Sequence, residues 1–173
     1  MQAKKGKVAV RRLSREEAMI ISGFFRGIGL EDPYDYNNMV VLEVEGGGYY
    51  EVFYIEPRLN RLAMKIGALY SGGLNIGYIS GQALIPSLHL ARDLAPLCRT
   101  GKLKCSILTP RGEALFLYGR IVYEENVVKW VEGVSLVVGI DYEPLGWGFG
   151  EEAREKRIIR PIKDLGWYLR RGG

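Results

Sequence analysis

Tyr142-Glu143-Pro144-Leu145-Gly146-Trp147-Gly148-Phe149-Gly150 sets a glycine at every second position of a strand-like run, with Trp147 and Phe149 between the glycines. The cations Arg154, Lys156, Arg157, Arg160 and Lys163 follow within a few residues. Two readings compete for this stretch. In one it is a buried barrel strand whose glycines mark a bend and whose aromatics fill the interior. In the other the glycines let another backbone, that of RNA, come close, and the cations neutralise its phosphates. From Glu151 to Gly173 there are seven Lys or Arg against four Asp or Glu, a modest basic excess that favours a polyanion at this end.

Outward from that strand the chain stays β-rich and punctuated by glycine as far back as residue 99. Lys104 to Leu108, Leu115 to Tyr123, Val127 to Trp130, Val134 to Asp141, Trp147 to Gly150 and Ile158 to Ile162 are expected as short strands. Many short strands at such spacing predict a small barrel. Its boundary is expected near Arg99 to Lys102, where Thr100-Gly101 supplies a joint.

The first part of the chain has a different character. Ser14-Arg15-Glu16-Glu17 is a capping box opening an apolar run from Ala18 to Phe25, which Gly27 and Gly29 close, so a helix is predicted. Val40 to Val44, a glycine turn at residues 46 to 48, and Tyr50 to Ile55 predict a hairpin. Behind Pro57, the residues Leu59, Leu62, Ala63, Ile66 and Tyr70 recur at helical spacing until residues 71 to 73 stop them. Asn75 to Gly81 reads as a short strand or loop, Leu84 to Leu90 as a strand, and Ala91 to Leu97 as a short helix. The fold class expected is therefore α+β, with an N-terminal α/β domain over 1–98 and a small β-barrel over 99–173.

With 173 residues and 47% hydrophobic content, the chain is long enough to bury a core in each part. The sequence offers no apolar run of membrane-spanning length and no apolar signal region, so a cytoplasmic protein is expected. Cys98 and Cys105, with His89 as the sole histidine, are too few for a zinc site, and reduced, packed thiols are expected. The net charge of +4 is unevenly spread. Lys4, Lys5, Lys7, Arg11 and Arg12 make the first twelve residues purely basic, which reads as a frayed extension adding affinity without base specificity. Gly27 to Pro57, by contrast, holds seven acids and no Lys or Arg, a face that nucleic acid avoids. An acidic hairpin carrying Glu43, Glu45 and Glu51 would suit a basic protein partner.

Catalytic signatures are sparse. There is no phosphate-cradling G-x-x-x-x-G-K-[ST] loop, and Gly23, Gly27 and Gly29 do not form a dinucleotide fingerprint. Ser87, His89 and Asp93 lie close in sequence without a nucleophile elbow, and His89 is expected to satisfy a hydrogen bond within a strand. No enzyme activity, catalytic residue, metal or cofactor is expected.

Thr109-Pro110-Arg111-Gly112-Glu113-Ala114-Leu115-Phe116-Leu117-Tyr118-Gly119, then Pro144 to Gly150, then Asp164-Leu165-Gly166-Trp167-Tyr168-Leu169-Arg170 resemble the PUA domain of the Nip-seven ribosome-biogenesis family. Ser87 to Leu97, Tyr54-Ile55 and Leu59 to Leu62 resemble the α/β domain that precedes it there, so the similarity spans nearly the whole chain. The resemblance implies a PUA-type barrel and a non-catalytic factor that binds precursor ribosomal RNA during large-subunit maturation. It also implies that the N-terminal domain contacts ribosome-assembly or RNA-processing proteins. A basic face of the PUA domain carries the RNA contact in archaeal members. The matching positions are Arg154, Lys156, Arg157, Arg160 and Lys163, with Arg120, Arg170 and Arg171 in second line. Trp167 and Tyr168 are expected to pack on the barrel. An RNA-modification enzyme or accessory subunit carrying a PUA module is the alternative.

Overall fold

The capping box forms as the sequence dictates. The Ser14 N–H donates to the Glu17 carboxylate at 2.8 Å, and the Glu17 N–H returns a bond to the Ser14 hydroxyl at 3.2 Å, opening helix α1 over Arg15–Gly27. The computed structural model describes residues 8–44, 50–66, 72–153, 155–167 and 170. The chain divides into two compact units, Met1–Phe24 with Glu31–Ser87, and Phe25–Leu30 with Leu88–Gly173.

The first unit is built on a five-stranded antiparallel meander in the order β1 (Val8–Arg12), β2 (Met39–Val44), β3 (Tyr50–Tyr54), β4 (Leu74–Ser80) and β5 (Ala83–Pro86). The expected hairpin is β2 with β3, paired from Met39 opposite Tyr54 to Glu43 opposite Tyr50. Its glycine turn and Glu45 lie outside the described residues. Val40, Leu42, Phe53 and Ile55 form the core, and Val10 and Met64 pack against it. Met64 belongs to helix α2, Pro57–Ile66. The apolar spacing that identifies this helix is not its packed face, because Leu59, Leu62 and Ile66 are each more than half exposed.

Residues 8 to 12 are not a frayed extension. Val8-Ala9-Val10 favours a strand, and β1 pairs with β2 from Val8 opposite Val44 to Arg12 opposite Val40. Arg11 fixes that edge. It donates to both Glu17 carboxylate oxygens at 2.7 and 2.8 Å and to Glu43 at 3.2 Å, and its guanidinium lies 5.3 Å from the centre of the Tyr50 ring. This hydrogen bond takes the Glu17 carboxyl from its ordinary 4.5 down to about 2, although burial pushes the other way. The Arg11 guanidinium is held charged by the same contact. Lys4, Lys5 and Lys7 lie outside the described residues.

The second unit carries a six-stranded curled, half-barrel sheet in the order β7 (Val122–Tyr123), β11 (Lys156–Asp164), β10 (Pro144–Ala153), β9 (Gly133–Val138), β6 (Cys105–Leu108) and β8 (Val127–Lys129). Among the described strands of this sheet, β6 and β9 pair in parallel and the other pairs are antiparallel. Leu108, Phe116, Val122, Val137, Leu145 and Ile159 fill its concave core. Helices α3 (Leu88–Leu94) and α4 (Pro96–Arg99) precede the sheet, and α3 packs against β10. Helices α3 and α4 belong to the same compact unit as this sheet, as do Phe25–Leu30.

Three expectations change here. Leu115 to Leu117 are helical rather than the start of a strand, since α5 runs from Pro110 to Leu117. Its signal is present in the sequence: Thr109 caps it by accepting from the Gly112 N–H, and Pro110 occupies the first turn where no N–H is needed. Leu88 to Leu90 likewise open α3, which places His89 exposed on a helix and not within a strand. Finally, Cys98 and Cys105 form a disulfide. The α4 end, the Thr100-Gly101 turn and the start of β6 bring their Cα atoms to 5.7 Å, within bridging range.

Candidate nucleic-acid interface

The glycine-aromatic strand β10 lies between β9 and β11, and this position decides its role. Trp147 is completely buried, so it packs and presents nothing to a ligand. The glycines serve the protein's own backbone. At Gly146, where φ is 146°, a Cβ would overlap the Lys163 carbonyl, and at Gly150 it would overlap that of Val131. The close approach expected of RNA is taken by β11 and the Val131 segment. Phe149 differs from Trp147: it is 41% exposed and opposite Arg160 in the register.

β11 displays most of the expected cations on a protein-facing scaffold of buried Ile158 and Ile159. Lys156, Arg157 and Arg160 are exposed, and Lys163 is half-buried opposite Trp147. Each exposed arginine has a cross-strand acid. Arg157 donates to Glu152 at 3.3 Å and lies 5.1 Å from the Trp130 ring centre, while Arg160 bonds Glu151. Glu124 accepts from the Arg157 backbone N–H at 3.4 Å. Exposed pairs of this kind are worth about 0–1 kcal/mol, so a phosphate can displace the carboxylate at small cost. Arg154 lies outside the described residues, as do Tyr168 and Arg171.

The second-line cations part company. Arg120 is exposed just past the α5 turn. Arg170 is a structural clamp: it grips both oxygens of buried Asp164 at 2.8 and 2.9 Å and also donates to the Leu117 carbonyl at the end of α5. Its guanidinium is held charged by the Asp164 hydrogen bond. Gly166 is required beside it, since a Cβ there would overlap the Leu117 carbonyl. Around the clamp, Ala114, Leu117, Tyr118, Leu165 and Gly166 line an apolar recess of about 310 Å³. Tyr118, 70% exposed at its rim, is an aromatic that the sequence reading left unassigned. Trp167 is also partly exposed, at 36%, where packing on the barrel was expected.

In the first unit, Arg12 at the end of β1 joins Arg58, Arg61 and Lys65 of α2 around a depression of about 520 Å³. The sequence separates these cations by more than forty positions, and the strand pairing of residues 8 to 12 unites them. Among the described residues no group of three or more His, Cys, Asp or Glu is placed to hold a metal. Ser87 donates its hydroxyl to the Asn75 carbonyl. No described helix is long and apolar enough to cross a membrane.

Residues 104–173 match the UPF0113 PUA domain, so the curled sheet with α5 set between β6 and β7 is a PUA domain, a known RNA-binding module. A UPF0113 protein of Aeropyrum pernix is 48% identical over 158 residues, covering 91% of this chain and 89% of that one. The chain belongs to the UPF0113 family. Two solved structures share the fold. A conserved PUA domain protein from Thermoplasma acidophilum superposes with a TM-score of 0.58 at 15% identity, covering 95% of this chain and 99% of that one. A hypothetical protein of the hyperthermophilic archaeon Pyrococcus horikoshii OT3 gives 0.59 at 14% identity, with coverages of 92% and 98%.

Proposed function

We propose that this protein is a non-catalytic RNA-binding factor whose PUA domain holds single-stranded RNA along β11. The observation that carries the reading is that β11 exposes Lys156, Arg157 and Arg160, and that its two arginines pair across the sheet with the partly exposed carboxylates of Glu152 and Glu151. Phosphates replace Glu151 and Glu152 on these arginines, and half-buried Lys163 adds a further cation on β11. Exposed Phe149, opposite Arg160, and exposed Tyr118 offer flat faces to unpaired bases. This assignment differs from a double-stranded reader because aromatic stacking needs splayed bases.

The RNA is precursor ribosomal RNA and the role is ribosome assembly; the resemblance to the Nip-seven family supports this part of the proposal. The first unit supplies the protein contacts. Crosslinking in the source organism followed by sequencing should enrich ribosomal precursors, and enrichment of messenger RNA alone would discard the assembly role. The direct test is RNA affinity against salt for the wild type and for Arg154, Lys156, Arg157 and Arg160 changed together to alanine. A folded variant with weaker binding, and a slope reduced by roughly 0.7 per lost contact, is expected. Equal affinity and slope would place the RNA elsewhere.

A further inference from the structure

Tyr142 has φ of 69°, left-handed backbone where glycine is relaxed and a bulky side chain is strained. The turn between β9 and β10 enforces it. The Tyr142 N–H donates to the Gly139 carbonyl at 3.0 Å, the Gly139 N–H donates to the Glu143 carbonyl at 3.0 Å, and the Glu143 N–H donates to the Asp141 carboxylate at 3.1 Å. Arg99, at the end of α4 and next to the disulfide, binds the same turn. It donates to the Asp141 carbonyl at 2.7 Å, and its guanidinium lies 5.6 Å from the Tyr142 ring centre. Glycine would hold this turn without strain, so the ring is what the tyrosine adds at this position.

The ring faces a feature that gives it work. A cavity of about 560 Å³ is lined by Arg92, Pro96, Arg99, Tyr142 and Pro144, with Glu143 the one acid on its wall. Two prolines and an aromatic ring make flat apolar walls, and two guanidinium groups make an anion site. Guanidinium carries five N–H donors in a planar fork, of which the turn uses one on Arg99. Flat walls beside a fork of donors suit a planar base attached to a phosphate.

We propose that this slot takes one unpaired nucleotide of the bound RNA, with its base against Tyr142 and its phosphate on Arg92 and Arg99. The inference rests on the RNA-binding reading of the PUA domain and adds a position separate from the β11 row. Tyr142 supplies stacking, which is indifferent to base identity and to salt. Arg92 supplies the ionic part, and the disulfide at Cys98 with the Asp141 bond holds Arg99 ready.

The test uses the full chain and single-stranded oligouridine, read as affinity at several salt concentrations alongside thermal stability. Tyr142→Asn tolerates the left-handed backbone and removes the ring. It should keep the melting temperature, lower affinity about 5- to 150-fold, and leave the salt slope unchanged. Tyr142→Gly should bind as weakly while melting at the same temperature or higher. Arg92→Ala should weaken binding and reduce the slope by about 0.7. Wild-type affinity in both Tyr142→Asn and Arg92→Ala would overturn the slot and leave RNA binding along β11 standing. A wild-type protein that binds no oligouridine would overturn both.

Discussion

Arginine does opposite work in two regions of this molecule. In the first unit Arg11 meets the shielded carboxylate of Glu17 with two hydrogen bonds and reaches Glu43 and Tyr50 as well, so its charge is consumed in holding β1 to the sheet. On β11 of the second unit Arg157 and Arg160 meet carboxylates that water also reaches. The residue type is the same, and the burial of the partner decides whether the cation holds the fold or remains exchangeable. Arg170 repeats the first pattern within the second unit, through buried Asp164.

The contrast between holding and presenting can be broken first at β10, where two aromatics two residues apart fall on opposite sides of it. Trp147→Ala should cost about 3–5 kcal/mol in denaturant unfolding, because its side chain is fully buried. Phe149→Ala should cost less than about 1 kcal/mol and weaken RNA binding instead. Comparable losses for the two would remove the distinction.

At the first unit, Arg11→Met leaves Glu17 without its partner and should cost about 2 kcal/mol, a figure reduced from that of fully buried pairs because Arg11 is partly exposed. The pH dependence sharpens this. The Glu17 carboxyl is lowered in the folded state, so its contribution is complete above about pH 4.5 and is lost as pH falls toward 2. Thermal melts of the wild type and Glu17→Gln should therefore converge through that acid window and stay apart above it. A constant separation down to pH 2 would assign the stability to something other than the ion pair.

Reduction of the Cys98–Cys105 bond, or Cys98→Ser, should cost about 2 kcal/mol, the chain-entropy value for so short a loop. Unchanged unfolding on reduction would contradict it. The smallest effect belongs to the presented cations: Arg157→Ala and Arg160→Ala should each change stability by at most about 0.5 kcal/mol.

Much of this arrangement was legible in the sequence where local chemistry governs. The Ser14–Glu17 box and the β2–β3 hairpin each follow from capping, alternation and turn residues. The α5 helix was hidden because Leu115 to Tyr118 is apolar enough to read as strand, although Thr109-Pro110 marked a helix start. The frayed-tail reading of residues 8 to 12 failed because Glu17 and Glu43, which anchor Arg11, are distant in sequence or assigned to a cap. Basic residues on β11 were visible, but composition does not report cross-strand register, and the register is what pairs Arg157 with Glu152. The Arg99–Tyr142 contact and the Arg12 cluster with α2 depend on folding alone.

The most direct measurement sets the two regions side by side: melting temperature and the salt dependence of single-stranded RNA binding, for Arg11→Met and for Arg157→Ala with Arg160→Ala. The account predicts that Arg11→Met loses stability and keeps its salt slope, while the β11 variant keeps its melting temperature and loses about 1.4 in slope, two contacts' worth. A β11 variant that binds RNA with the wild-type affinity and slope would contradict it.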